Sequence, residues 1–281
     1  MAQAPRGDEE APRIDPASIT IKGIETPEEF EACVVIQKDT WGQDFSDVVP
    51  VSMLQISAKM GGVVSGAFNP GGELIGVVYG ITGIRDGVLA HWSHMLAVRD
   101  DARNLGLGRR LKLHQRAFLK GLNVQHMYWT YDPLVARNAH LNLTRLGASI
   151  DEYVVDMYGD SDSELHRLGT DRFIVKWDLN RMLPAKGSGP ADRAPASTGS
   201  LPRFDRAFGF EGAPEPTNAP AVEVVIPLEI DAVEARSFDE ALEWRASTRR
   251  AFVHYLASGY EVTEFVPGAV EAHYVLTRAQ H

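Results

Sequence analysis

The chain has 281 residues, of which 44% are hydrophobic and 23% charged, with a formal net charge of −10 and one cysteine, Cys33. That length allows one large or two small domains with buried cores. The acidity argues against a general nucleic-acid surface, leaving only a local basic patch from Arg109 to Arg116. A lone cysteine excludes an internal disulfide framework and a Cys-based zinc site, and its setting in FEACVVIQ reads as a small buried hydrophobe. No stretch is apolar for long enough to span a bilayer. MAQAPRGDEEAPRIDP lacks the apolar centre of a signal peptide. The expectation is a cytoplasmic protein with no metal, no membrane partner and no nucleic-acid partner.

In chain order, residues 1–17 are polar and proline-bearing and read as disordered. Ile19 to Ile24 alternates as a short strand. Thr26-Pro27-Glu28-Glu29 opens a helix to about Lys38, with a cap, a proline in the first turn and acids at the positive end. A loop over Trp41–Val49 and a helix over Ser52–Met60 follow. Gly61–Phe68 and Glu73–Ile84 are strands joined by the turn Asn69-Pro70-Gly71-Gly72, and Val88–Val98 is a third strand after Arg85-Asp86-Gly87.

The stretch from Ala90 to Gly121 organises the rest: a strand, the polar RDDARN, and Arg103-Asn104-Leu105-Gly106-Leu107-Gly108 opening a basic amphipathic helix. Its apolar positions are Leu107, Leu111, Leu113, Ala117, Phe118 and Leu122. Glycines at a helix N-terminus, where N–H groups are unpaired and the dipole is positive, suit a phosphate or pyrophosphate. The stretch is neither a P-loop nor the dinucleotide fingerprint, because neither Gly-Lys-Ser/Thr nor a third glycine follows.

Beyond it, Val124–Thr130 is a strand ending in Tyr131-Asp132-Pro133, Arg137–Leu146 a short helix closed by Gly147, and Ser149–Met157 and Thr170–Trp177 are strands. Residues 180–220 are rich in Pro, Gly and Ala without a period, as in a long loop or linker. Residues 221–281 read as a β-α-β-β extension: a strand at Val222–Pro227, one long helix over Asp231–Leu256, and strands at Tyr260–Val266 and Ala272–Thr277. The extension is too small to stand alone and is expected to pack on the first domain, residues 18–179.

VRDDARNLGLGRRL resembles the acyl-CoA-binding motif of the GCN5-related N-acetyltransferase (GNAT) superfamily, whose Arg/Gln-x-x-Gly-x-Gly/Ala pattern is met by Arg103, Gly106 and Gly108. The resemblance covers roughly residues 19–178. It implies an α+β fold, a mixed, mainly antiparallel sheet flanked by helices, in which the two strands of the strand–helix–Gly–strand ending splay apart and the acyl arm enters the gap. More loosely, YDP, TDRF and a C-terminal YVL resemble a bacterial subgroup associated in part with N-acylation and N-succinylation of amino acids.

What the resemblance implies for the site is specific. Acetyl-CoA or another acyl-CoA, succinyl-CoA included, would lie on Leu96, Ala97, Val98, Arg103, Asn104, Leu105, Gly106, Leu107, Gly108 and Arg109, with Asn138 near the pantetheine or simply capping its helix. A strand bulge at Leu96–Val98 would free an amide to polarise the thioester. His94 is the candidate base, or else a half-buried histidine bonded to a neighbouring strand; His91, three residues earlier, points to the other face, so the two are no metal pair. The tyrosine acid of many members falls at Leu143 and is missing; Tyr131 is the nearest substitute, unless it shapes the strand end with Asp132. Trp41, Asp44 and Phe45 are weaker candidates for the acceptor pocket.

A carboxylate on acceptor or acyl group would call for an arginine. Arg245 and Arg249, interrupting an apolar stripe of the C-terminal helix, and Arg172 are the candidates. The expected activity is direct transfer to the primary amine of a small metabolite. Two alternatives remain: a non-catalytic acyl-CoA-binding sensor or assembly module, and a protein or aminoglycoside N-acetyltransferase. Pairing of exposed strands of the extension would make a homodimer.

Overall fold

The computed structural model describes residues 15–159, 167–184, 201–209 and 215–279. The expected disorder of residues 1–17 therefore falls mostly outside the described residues, as does much of the expected linker.

The first sheet has seven strands in the order β1-β2-β3-β4-β5-β7-β6: β1 (Thr20–Gly23), β2 (Val63–Phe68), β3 (Leu74–Arg85), β4 (Val88–Val98), β5 (His126–Tyr131), β6 (Ser149–Val154) and β7 (Arg172–Asp178). All neighbours run antiparallel except β4 and β5. On one face lie α1 (Pro27–Trp41) and α2 (Val51–Lys59). The Thr26-Pro27-Glu28-Glu29 signal is realised in full: Thr26 and Glu29 form a reciprocal capping box with Pro27 in the first turn. Cys33 is fully buried here, and burial pushes its thiol up to about 12.

On the other face lies α3 (Leu107–Gly121). Its buried residues are Leu107, Leu111, Lys112, Gln115 and Leu119. Phe118 and Leu122, expected on the apolar stripe, are instead 45% and 39% exposed. The stripe is rotated by about one position, which brings a lysine and a glutamine inside.

The helix expected at Arg137–Leu146 is a single α turn, α4 (Ala136–Ala139), which widens into a π-helical segment over His140–Arg145. The Leu146 amide bonds the Leu141 carbonyl across five residues.

The C-terminal residues form a separate sheet in the order β10-β11-β9-β8: β8 (Arg203–Phe204), β9 (Ala221–Pro227), β10 (Tyr260–Pro267) and β11 (Glu271–Arg278). Two findings correct the expectations. Strand β8 lies within the stretch read as linker, held because Phe204 is buried against Phe208 and Tyr255. The single long helix is two, α5 (Ile230–Arg236) and α6 (Phe238–Ala257), broken at Ser237. Ser237 is extended and its hydroxyl accepts the Glu240 amide, a Ser-x-x-Glu start. One continuous core runs from β2 and β3 through β5 and β7 into β9, α6 and β11.

Candidate active site

Strands β4 and β5 pair only at Ala90–Trp92 with His126–Tyr128. Beyond Trp92 and Tyr128 they part, one strand earlier than the strand–helix–Gly–strand ending where the splay was expected. The Arg99 amide bonds the Ile75 carbonyl on β3. By strand alternation Ala97 also addresses β3, while the N–H and C=O groups of Leu96 and Val98 lie along the open edge. This edge leads to the glycine turn. Asn104 and Gly106 there have φ of 65° and 71°, a left-handed conformation that Asn and Gly tolerate best. Gly106 is the N-cap of α3, and its first turn carries no acid.

Around the turn, Leu107 is buried in the core, Leu105 is half-buried, and Gly108 lies beside Leu96 and Leu141. Arg103 is exposed and pairs with Asp100 at 2.6 Å. The Arg109 Nε is buried with no partner in the described residues. An anion on the helix N-terminus would answer that donor, so the residues present fit a diphosphate. Asn138, half-buried on α4, makes no side-chain hydrogen bond among the described residues.

The bulge is displaced from the position expected. Tyr79 faces Met95 and Gly80 faces Ser93, so His94 is the inserted residue. Gly80 is required opposite it: a Cβ there would fall 2.3 Å from His91 Nε2 and 2.5 Å from the Trp92 carbonyl oxygen. The bulge turns His94 out on the α1/α2 face, edge-on to Tyr79 at 5.9 Å. Desolvation pulls its pKa below the ordinary histidine value, with Asp47 of the α1–α2 loop pulling the other way. Burial thus favours the neutral imidazole, the form able to take a proton. Trp41, the last residue of α1, and Phe45 in the α1–α2 loop have ring centres 5.3 Å apart, tilted by 40°.

Tyr131, the suggested acid, is placed elsewhere. It is buried with its hydroxyl 3.4 Å from that of Tyr274, and burial raises its pKa. The Tyr274 hydroxyl donates to the Pro133 carbonyl at 2.7 Å. This pair ties the end of β5 to the second sheet, which is the strand-shaping alternative for Tyr131. Leu143 is a partly buried hydrophobe against the core.

The suggested arginines meet in one place, around Asp132, Asp156 and Asp171. Arg245, 5% exposed, gives NH2 to Asp132 at 2.5 Å and Nε to the Leu168 carbonyl at 2.8 Å. Arg249 embraces Asp171 through Nε at 2.8 Å and NH2 at 2.6 Å, and also meets Asp156 at 2.7 Å. Both guanidiniums are thus paired with carboxylates of the chain itself, although the Arg245 Nη1 is buried without a partner among the described residues. Arg172 differs: it donates to the Asp171 backbone carbonyl at 2.8 Å, stands 3.7 Å from Asp132 and lies over Tyr158. Alternation along β7 puts it on the face of Ile174, Trp92 and Tyr128, opposite the buried Phe173. His94 on β4 and Arg172 on β7, one strand beyond β5, thereby lie on the same face of the sheet.

Sequence reasoning missed Asp47, Asp171 and Lys112. For Lys112 a signal existed, since it falls within the stripe of Leu107, Leu111, Gln115 and Leu119. For Asp171 there was none, because its partners lie on β6 and α6, far away in the chain.

No protein-family model matches the sequence, and no curated protein does. Among solved structures, the ribosomal-protein-S18-alanine N-acetyltransferase of Escherichia coli is similar at 17% identity, over 58% of this chain and 96% of its own, with a TM-score of 0.46. A Salmonella typhimurium protein, yncA, solved with its cofactor acetyl-CoA, is similar at 15% identity over 60% and 99%, TM-score 0.46. An acetyltransferase of the GNAT family from Streptococcus pneumoniae is similar at 14% over 59% and 99%, TM-score 0.46. These likenesses leave some two-fifths of the chain unmatched and assign no activity to it. What the chain's own geometry defines is an α+β protein with a splayed strand pair that ends at a glycine-opened helix. Among the described residues, no helix is long and apolar enough to cross a membrane.

Proposed function

We propose that the chain is an acyl-CoA-dependent N-acyltransferase, moving an acetyl or succinyl group to the primary amine of a small acceptor that carries a carboxylate. The observation that carries this reading is the gap between β4 and β5, which runs from the glycine turn to His94 with the Leu96 and Val98 amides along its edge. In this reading the helix N-terminus and Arg109 hold the diphosphate, and the Leu96 and Val98 backbone pairs with the arm. His94 takes a proton from the acceptor amine, and Arg172 pairs with its carboxylate. Acyl-CoA supplies the activated thioester; the chain supplies orientation and proton transfer.

The test is thermal melting with CoA, acetyl-CoA and succinyl-CoA, followed by thiol release with D- and L-amino acids, polyamines and aminoglycosides. A CoA-dependent rise in Tm reports selective binding to the folded state, and the panel identifies the acceptor. Arg172→Gln is expected to raise KM about 10–100-fold for carboxylate acceptors, the loss of a charge-assisted hydrogen bond, and to leave simple amines unaffected. A second reading, an acyl-CoA-binding module without turnover, draws on the buried Tyr131 and the apolar Leu143. Stabilisation by CoA without thiol release on any acceptor selects it.

A further inference from the structure

The α3 face of the gap holds a buried cation without a carboxylate. Lys112, 4% exposed, donates to Ser93 Oγ at 2.8 Å and lies 4.0 Å from the centre of the Trp129 ring. Ser93 and Trp129 are the first residues beyond the last paired positions, Trp92 and Tyr128. Lys112 therefore lies at the apex where the gap closes.

A chain of hydrogen bonds of one polarity fixes the lysine's role as donor. The Thr82 hydroxyl donates to the Gly61 carbonyl at 2.7 Å, so it accepts from His91 Nδ1–H at 2.9 Å. His91 Nε2 then accepts from the Gln115 amide at 2.9 Å. Gln115 Oε1 accepts from Ser93 at 2.9 Å, which leaves the Ser93 oxygen for Lys112. Of the three ammonium protons, Ser93 takes one and the Trp129 face a second. No described residue accepts the third.

The groups facing Lys112 are Ser93 and, beyond it, His91 on β4, Trp129 on β5, and Gln115 on its own helix. No carboxylate among the described residues pairs with it. His91 is neutral, pulled to about 3 by burial and by Lys112.

We propose that Lys112 is the proton donor to the departing thiolate, the role for which this chain has no tyrosine at position 143. This rests on the acyl-CoA reading. From Val98 to Ser93 the open edge spans about 16 Å at ~3.3 Å per residue, which brings the sulfur end of an extended phosphopantetheine arm toward the apex. As the acceptor nitrogen bonds the acyl carbon and the carbon–sulfur bond breaks, its electron pair stays on sulfur. One Nζ proton moves to it, giving the free thiol. The neutral amine takes a proton from water once the thiol leaves, while the proton of the acceptor amine goes to His94. The direction is favourable, since burial lowers the Lys112 pKa to about 7, below ~8.5 for an ordinary thiol.

The experiment compares wild type with Lys112→Met, using CoA as the binding probe and acetyl-CoA as the donor. In the binary complex, ultraviolet titration of the bound thiol reads its pKa without turnover: the thiol of CoA titrates at least about one unit lower in wild type than in K112M. In turnover at saturating donor, K112M lowers kcat about 100-fold with donor KM within threefold, as for loss of a general acid, and the alkaline limb near pH 7 disappears. Equal thiol pKa values in the two proteins, or kcat unchanged with a raised KM, would overturn the assignment and leave the acyl-CoA reading intact. Absence of any CoA-dependent rise in wild-type Tm would overturn both. If K112M does not fold, Lys112→Arg, which keeps the charge but does not surrender its proton, serves instead. It is expected to retain the depressed thiol pKa and lose kcat, and retention of kcat there counts against the proposal.

Discussion

Two buried charge clusters lie on either side of β5, and they are built on opposite plans. Around Asp132, Asp156 and Asp171 every arginine finds an acid or a carbonyl, and Asp171, fully buried, accepts from Arg249, from Tyr153 at 2.5 Å and from the Asp156 amide at 3.1 Å. Burial pushes the Asp171 pKa up, and those hydrogen bonds more than reverse it. Around Lys112 the partners are a hydroxyl and an indole face. The first plan pairs its charges, leaving the Arg245 Nη1 buried without a partner among the described residues, and joins three distant segments. The second leaves a charge with no counterion among the described residues, which costs stability.

The largest expected effect comes from breaking the satisfied cluster. Asp171→Asn removes a buried charge facing two arginines, and loss of one partner of such a pair costs about 3–5 kcal/mol. Urea unfolding followed by fluorescence measures it. A loss below ~1 kcal/mol would mean that the cluster is not what fastens α6 to the ends of β6 and β7.

The unsatisfied cluster should respond in the other direction. Lys112→Met is expected to stabilise the chain by about 1–4 kcal/mol at pH 7, as when buried ions are replaced by apolar side chains. The sign in pH is also fixed. Lys112 has a folded value of about 7 against 10.5 unfolded, so the unfolded chain binds more protons between them and wild-type stability rises with pH across that window. K112M flattens this slope. His91 acts at the acid end: with about 3 folded against 6.5 unfolded, it removes about 1–2 kcal/mol as pH falls from 6.5 to 5. Thermal melting at stepped pH reads both arms. A wild type equally stable at pH 7 and pH 9 would contradict the buried ammonium.

The contrast also marks what a one-dimensional reading can reach. The capping box at Thr26, the hairpin turn at Asn69–Gly72 and the glycine turn at Gly106 are local signals, and each element formed where expected. The splay of β4 from β5 lay one strand away from where the resemblance set it, because strand neighbours across a sheet leave no local trace. The bulge at His94 was misplaced by a few residues: it depends on register against β3, with Gly80 the one residue that betrays it. Ser237 was overlooked within a continuous helical pattern, though its Ser-x-x-Glu start was readable. The arginine stripe on α6 was seen, but its partners could not be, since Asp132 and Asp171 are remote in sequence. Lys112 falls in the basic patch from Arg109 to Arg116, although its spacing of three from Gln115 and seven from Leu119 sets it inward.

The smallest effect separates the two arginines that share the satisfied cluster. Arg249 is a third exposed, whereas Arg245 is nearly buried. Arg249→Gln leaves Asp171 with the Tyr153 hydroxyl and the Asp156 amide, and water reaches the vacated position. Its cost is therefore discounted by solvent to about 1 kcal/mol and shrinks further in 1 M salt. Arg245→Gln leaves Asp132 with Arg172 at 3.7 Å and the Leu134 amide, but at a position nearly closed to water, so its cost is larger and less sensitive to salt. Unfolding at low and high salt compares them directly. Equal costs with equal salt dependence would show that burial does not distinguish the two arginines and that the cluster acts as one exposed network.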